Sequence, residues 1–132
     1  DALDVRTFEW SETQQDWILM DQNLHTMTPG KKSGYFISLS NDGTLMGMGD
    51  PGQRTDTGEI TGHVHVYYYN GKVWIQLGPN GYGDAAGDQF GFSVALSSNG
   101  NALLVAAPFS RAEGYEHGRV VVYEIDPGLF LD

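Results

Sequence analysis

The chain has 132 residues, of which 40% are hydrophobic, only 18% are charged and 18 are glycine. That is enough for one ordinary domain with a modest core, and the composition suits short strands and tight turns better than helical bundles. The formal net charge of −10 repels phosphate backbones and anionic membrane surfaces, and the absence of cysteine excludes disulfide scaffolds, thiol chemistry and cysteine-type zinc sites.

No apolar run is long enough to span a bilayer, so the chain is not expected to be membrane-spanning. There is no signal-peptide pattern, and Asp1 as the first residue is expected of a processed product or an excerpt.

The chain opens on Val5-Arg6-Thr7-Phe8-Glu9-Trp10, which resembles Val64 to Tyr69; a tryptophan follows each segment, Trp17 in one case and Trp74 in the other. Residues 11–23 hold the best helix candidate, but Trp17-Ile18 matches Trp74-Ile75 and argues for a strand. With Trp17 placed over Trp74, the offset of about 57 residues holds onward: Gly34 falls on Gly91, Leu39-Ser40 on Leu96-Ser97, Gly43 on Gly100 and Pro51 on Pro108. After a one-residue deletion, Gly62-x-Val64-x-Val66-Tyr67 falls on Gly118-x-Val120-x-Val122-Tyr123.

Each copy reads as four strands. In the first, Tyr35–Ser40 turns at Asn41-Asp42-Gly43 into Thr44–Met48, which stops at a proline that cannot donate to a ladder. A polar loop leads to His63–Tyr69, and Asn70-Gly71 turns the chain into a fourth strand from Val73-Trp74. A glycine-rich connection, 78–87, opens the second copy: Phe92–Ser97, Ala102–Ala106 and Arg119–Ile125, with Phe130-Leu131 as the first step of a last strand. Ala102–Ala106 is apolar on both sides, as expected of a strand covered on both faces.

The second copy carries Gly87-Asp88-Gln89-Phe90-Gly91-Phe92-Ser93-Val94-Ala95-Leu96-Ser97, then Ala106-Ala107-Pro108 and Gly118-Arg119-Val120-Val121-Val122-Tyr123. This resembles the FG-GAP repeat of integrin-α-type β-propellers, in the variant found in large algal and bacterial repeat proteins. Trp74-Ile75-Gln76-Leu77-Gly78 is similar to that variant's opening, whereas the first copy has Gly34-Tyr35 and Gly49-Asp50-Pro51 in place of the motif.

The resemblance implies an all-β propeller segment of about two four-stranded blades plus a partial N-terminal blade. Residues 1–32 would be the last two strands of a preceding blade plus a linker, 33–86 one blade, and 87–132 another with its last strand incomplete. Open blade faces then call for further blades or protein partners at both ends. The resemblance also implies an extracellular, secreted or cell-surface setting, or else an organelle lumen. The motif residues Trp17, Gly34, Gly43, Pro51, Trp74, Asp88, Phe90, Gly91, Gly100 and Pro108 are expected to be structural. Many integrin-type blades hold calcium in an aspartate-rich turn; here Ser40–Gly43 and Ser97–Gly100 are too short and too poor in carboxylates for that.

Other chemistry is sparse. Gly47-Met48-Gly49-Asp50-Pro51-Gly52 matches a dinucleotide expression, but a proline and a polar loop follow where a helix is required. His63 and His65 share one strand face; an exposed polar stripe is the expected reading, with a metal pair as the alternative. Asp84 and Asp88 are candidates for calcium, with Asp88 expected to accept hydrogen bonds from loop amides. Tyr67, Tyr69 and Trp74, with Tyr68, Trp10 and Trp17, could form a sugar-stacking platform. The sequence therefore points to a non-catalytic structural or protein-interaction module without a required cofactor, acting through loops such as 50–61 and 109–117. The alternative is a carbohydrate-binding propeller, with or without the assistance of calcium.

Overall fold

The computed structural model describes residues 5–21, 36–79, 81–111 and 117–126. Gly34, Tyr35, His25, part of the 109–117 loop and Phe130-Leu131 lie outside the described residues. Those described form strands and turns with no helix, arranged as antiparallel sheets of which none closes on itself.

The first sheet is a hairpin of β1 (Phe8–Ser11) and β2 (Asp16–Leu19), with Trp10 opposite Trp17. The strand reading of Trp17-Ile18 thus holds over the helical one. The middle sheet runs β3 (Phe36–Leu39), β4 (Leu45–Asp50), β5 (His63–Tyr69) and β6 (Trp74–Gln76) in spatial order; short β7 (Gly81–Tyr82) shares the outer edge of β5 with β6. The last sheet comprises β8 (Ser93–Leu96), β9 (Ala102–Ala107) and β10 (Arg119–Glu124), with β9 central.

The two larger sheets carry one register. Phe36 pairs with Gly49 and Leu39 with Met46; Ser93 pairs with Ala106 and Leu96 with Leu103, about 57 residues on in every case. Leu45 pairs with Tyr68 as Ala102 pairs with Glu124, so the third strand is displaced by one residue fewer, matching the deletion in the sequence.

The turns explain why these strands reverse where they do. Ser40 donates its hydroxyl to Asp42 Oδ1 (2.9 Å), which also accepts the Thr44 N–H (2.9 Å) and hydroxyl (2.7 Å), while Ser40 Oγ accepts the Leu45 N–H (3.0 Å). In the later turn Ser97 donates to Asn99 Oδ1 (2.9 Å), Asn101 N–H reaches the same oxygen (3.1 Å) and Ala102 N–H reaches Ser97 Oγ (3.0 Å). Both turns close on glycines at positive φ, Gly43 (73°) and Gly100 (76°), a conformation that costs other residues about 1 kcal/mol or more.

The sheets are layered. On one face of the middle sheet, Val64 and Val66 join Phe90, Val94, Leu103, Val105 and Ala107 in a core shared with the last sheet. On the other, Met46, Met48, Tyr67 and Trp74 pack against Val5 and Met20 of the first hairpin. All of β4 is therefore buried. The last sheet differs from the sequence expectation: Leu103 and Val105 of β9 are buried but Leu104 is exposed, because among the described residues nothing covers its outer face.

Stacked sheets ordinarily lie about 10 Å apart with side chains between them. Here the backbones meet at one end. A Cβ on Gly49 would fall 2.1 Å from the Gly91 carbonyl oxygen, and one on Gly62 would fall as close to that of Phe90. Phe90 N–H donates to the Thr61 carbonyl (3.0 Å), while Gly91 N–H donates to Ala106 O (3.1 Å), so the segment before β8 is bonded to both sheets.

Gly49→Ala should cost at least ~3 kcal/mol in chemical denaturation, since backbone cannot yield as a flexible side chain can. Gly43→Ala, whose Cβ would meet nothing within 4 Å, should cost only about 1–2 kcal/mol of backbone strain. The hydroxyl and amide donors from Thr44 and Ser40 hold the Asp42 carboxyl below its ordinary value of 3.8, so its contribution is present above that pH and is lost as pH falls through the lower folded-state value. Asp42→Asn should be slightly less stable than wild type at neutral pH, because an amide oxygen accepts the same bonds more weakly, and the two denaturation midpoints should converge below pH 3.8.

Candidate functional site

The aromatic residues divide into two groups. Tyr67 and Trp74 are 8% and 7% exposed, and burial raises the Tyr67 phenol above its ordinary range. Trp74 donates its indole N–H to Thr7 Oγ1 (2.8 Å) and its backbone N–H to Asp21 Oδ2 (3.0 Å), locking the hairpin onto the middle sheet. Tyr69 is half-buried against the Trp74 ring, with centroids 5.2 Å apart, and reaches the Met20 carbonyl. These rings are packed where a sugar platform would need them displayed.

Trp10 and Trp17 are displayed, at 40% and 61% exposure, their rings edge-to-face with centroids 5.5 Å apart. They stand over a cleft of about 370 Å³ between the hairpin and the middle sheet, with Ile37, Leu39 and Met46 beneath and Arg6, Glu9 and Asp42 also lining it. The sequence offered Trp17 as a repeat-motif residue; that Ile37 and Leu39 stay half-exposed beneath it depends on the tertiary arrangement, which no local pattern signals.

The histidine pair is not the exposed stripe expected from its spacing. His63 is buried and His65 half-buried, because β5 is covered by its neighbours. Their Nε2 atoms lie 2.9 Å apart, so one ring donates and the other accepts, and the His63 ring also lies near Tyr82. Asp50 stands opposite His63 across the ladder. Among the described residues no three histidine, cysteine, aspartate or glutamate side chains converge on a metal-sized site.

Asp84 and Asp88 serve different partners. Asp84 forms an ion pair with Arg119 on β10. Asp88 is buried, its Oδ2 accepting the Ala85 N–H (3.2 Å) while its own N–H donates to the Ala85 carbonyl (3.2 Å). Phe90 is fully buried, edge-to-face with Tyr123, and Gly91 makes the close backbone contact already described. Pro51 follows β4 and Pro108 follows β9, where each ladder ends. The 50–61 loop folds into a small hairpin, bridged at Arg54 and Ile60 and tied by Arg54 Nη1 to the Gly58 carbonyl (2.8 Å).

The described chain is thus a layered all-β protein with an aromatic cleft at one end and an uncovered apolar sheet face at the other. Comparison with known proteins finds no matching family model, no matching curated protein and no matching solved structure. No helix among the described residues is long and apolar enough to cross a membrane.

His65→Ala removes the partner of a buried ring nitrogen and should cost about 1–3 kcal/mol in chemical denaturation. Replacing both histidines with apolar residues of similar shape should cost less than either single change, which a double-mutant cycle would reveal.

Proposed function

We propose that the chain is a non-catalytic protein-interaction and structural module, built as a segment of an FG-GAP-like β-propeller. The observation that carries this reading is the exposed Trp10–Trp17 pair over Ile37 and Leu39. Large aromatic side chains beside aliphatic ones in a water-accessible cleft are typical anchors of protein interfaces. Val120 and Val122, each 61% exposed on the outer face of the last sheet, support contacts with further blades or partners at that end. The matching registers of the two larger sheets support the tandem-repeat reading. In this reading the hairpin is the outer half of a preceding blade, and an extracellular or luminal setting follows the family resemblance alone.

Carbohydrate binding is the second reading. What favours it is the displayed Trp17 ring lining the same cleft as Asp42, whose carboxylate could accept a sugar hydroxyl. It must use Trp10 and Trp17, because Tyr67 and Trp74 are buried.

Native mass measurement with identification of every co-purifying polypeptide separates the readings. The interaction-module reading expects a stable complex that Trp17→Ala weakens by about tenfold or more, as for an interface hot spot. A lone 14.5 kDa particle with nothing attached counts against it. Glycan-array binding abolished by Trp17→Ala would move the assignment to carbohydrate recognition.

A further inference from the structure

The layers of the fold repeat one another, and one position that is filled between the two larger sheets is open at the Trp10–Trp17 cleft. In the hairpin, Trp10 faces Trp17 as Tyr69 faces Trp74. Met20 N–H donates to the Thr7 carbonyl (2.9 Å) as Leu77 N–H donates to that of Val66 (2.8 Å). β1 and β2 therefore correspond to β5 and β6. β5 is paired on its other edge by β4, whereas the matching edge of β1 carries no strand among the described residues.

The surface beneath that edge is correspondingly bare. By register, Ile37, Leu39 and Met46 of the middle sheet match Val94, Leu96 and Leu103 of the last. Val94 is 9% exposed and Ile37 is 45% exposed. What covers the last sheet at this point is β4. A Cβ on Gly47 would fall 2.8 Å from Leu103 Cδ1 and 3.5 Å from Leu96 Cγ, so only a strand with glycine there lies this close. Leu45, two residues earlier on the same face, sits on the turn glycine Gly100, where an added Cβ would strike its Cδ1. Gly43 is the counterpart of Gly100 and lines the cleft, yet an added Cβ there would meet nothing within 4 Å. The leucine seat is open.

The opposite face of β4 carries Met46 and Met48, which pack with Tyr67 and Trp74. Trp17 matches Trp74 but is 61% exposed against 7%. A strand along β1 would therefore need small residues toward the middle sheet and large apolar ones toward the tryptophan pair. A second folded copy does not supply it: β4 is itself buried, and β9 has Leu104 at the position of Gly47.

We propose that the cleft receives an extended strand of a partner protein, antiparallel to β1, with the pattern leucine, large apolar, glycine, large apolar, glycine. This rests on the interaction-module reading and names the chemistry of the partner. The leucine stands opposite Glu9 and seats on Gly43; the first glycine stands opposite Thr7 and lies over Leu39 and Met46. Backbone hydrogen bonds along β1 give affinity, and the demand for glycine rejects bulkier strands.

A synthetic peptide with the sequence of residues 43–51, which carries this pattern, tests the proposal on the full chain. It should slow hydrogen exchange of the β1 amides that point away from β2 and shift tryptophan emission to the blue. The peptide Gly47→Leu should bind about tenfold more weakly or worse, as expected for overpacking. In the protein, Gly43→Asn should weaken peptide binding while leaving the denaturation midpoint close to wild type, because asparagine tolerates positive φ. Equal binding of the Gly47→Leu peptide would overturn the proposal, as would self-association of the chain that protects β1 without peptide. If the peptide leaves β1 exchange unchanged while a co-purifying partner is still lost on Trp17→Ala, the strand assignment falls and the interaction-module reading stands. If Trp17→Ala leaves that partner bound, both fall.

Discussion

The close approach of Gly49 to Gly91 is the constraint on which the layered arrangement depends. A side chain at either position would strike backbone, and backbone cannot swing aside. The contact brings the segment before β8 against β4 and β5, where Phe90 bonds to Thr61 while Gly91 and Phe92 both donate to Ala106. One short stretch of chain therefore fixes the last sheet on the middle one at close range. The apolar core then fills the space that opens beyond the glycines, with Phe90, Leu103 and Val105 almost wholly removed from water. The hydrogen bond from Leu96 N–H to Ser38 Oγ (2.9 Å) and that from Asn41 N–H to the Ser98 carbonyl (2.8 Å) hold the two sheets together elsewhere.

Because the middle sheet is covered on both faces, residue types that usually mark function are used there for packing. Tyr67, Trp74 and His63 are enclosed, and the hydrogen bonds of Trp74 join the hairpin to the sheet across more than fifty residues of sequence. Apolar side chains are exposed at both ends of the stack. At one end, Trp10 and Trp17 stand over a half-open apolar floor; at the other, Leu104, Val120 and Val122 face water. This distribution underlies the proposed role, a layered body that presents exposed apolar side chains at both ends of the stack.

Much of the local structure was legible in the sequence. Apolar runs bounded by Asp-Gly, Asn-Gly and proline placed β4 and β9, and Val- and Tyr-rich runs placed β5 and β10, to within about two residues, since strand-forming residues and positive-φ turn residues are local properties. The alignment of Trp17 with Trp74 identified β2 as a strand against a competing helical reading. Burial was much less legible. Alternation shows which residues share a face but not whether another sheet covers it. His63 therefore read as exposed and is buried, while Leu104 read as covered and is exposed. Asp88 read as an acceptor of loop amides and accepts the Ala85 N–H, whereas Asp84, read as a calcium candidate, pairs with Arg119, a partner on β10 that local sequence could not name. The glycines could be recognised as repeat positions, but that Gly49 meets Gly91 follows only from the stacking.

The most direct test of this account is native-state hydrogen exchange at Phe90, Gly91 and Phe92, read against β4. If the glycine contact fixes the layers, these three amides should be protected nearly as strongly as those at the centre of β4, although they lie outside any named strand. Exchange of all three at the rate of an exposed loop, with β4 still protected, would contradict it. The sheets would then be held by side-chain packing alone, and the close backbone contact would not be the constraint that organises the fold.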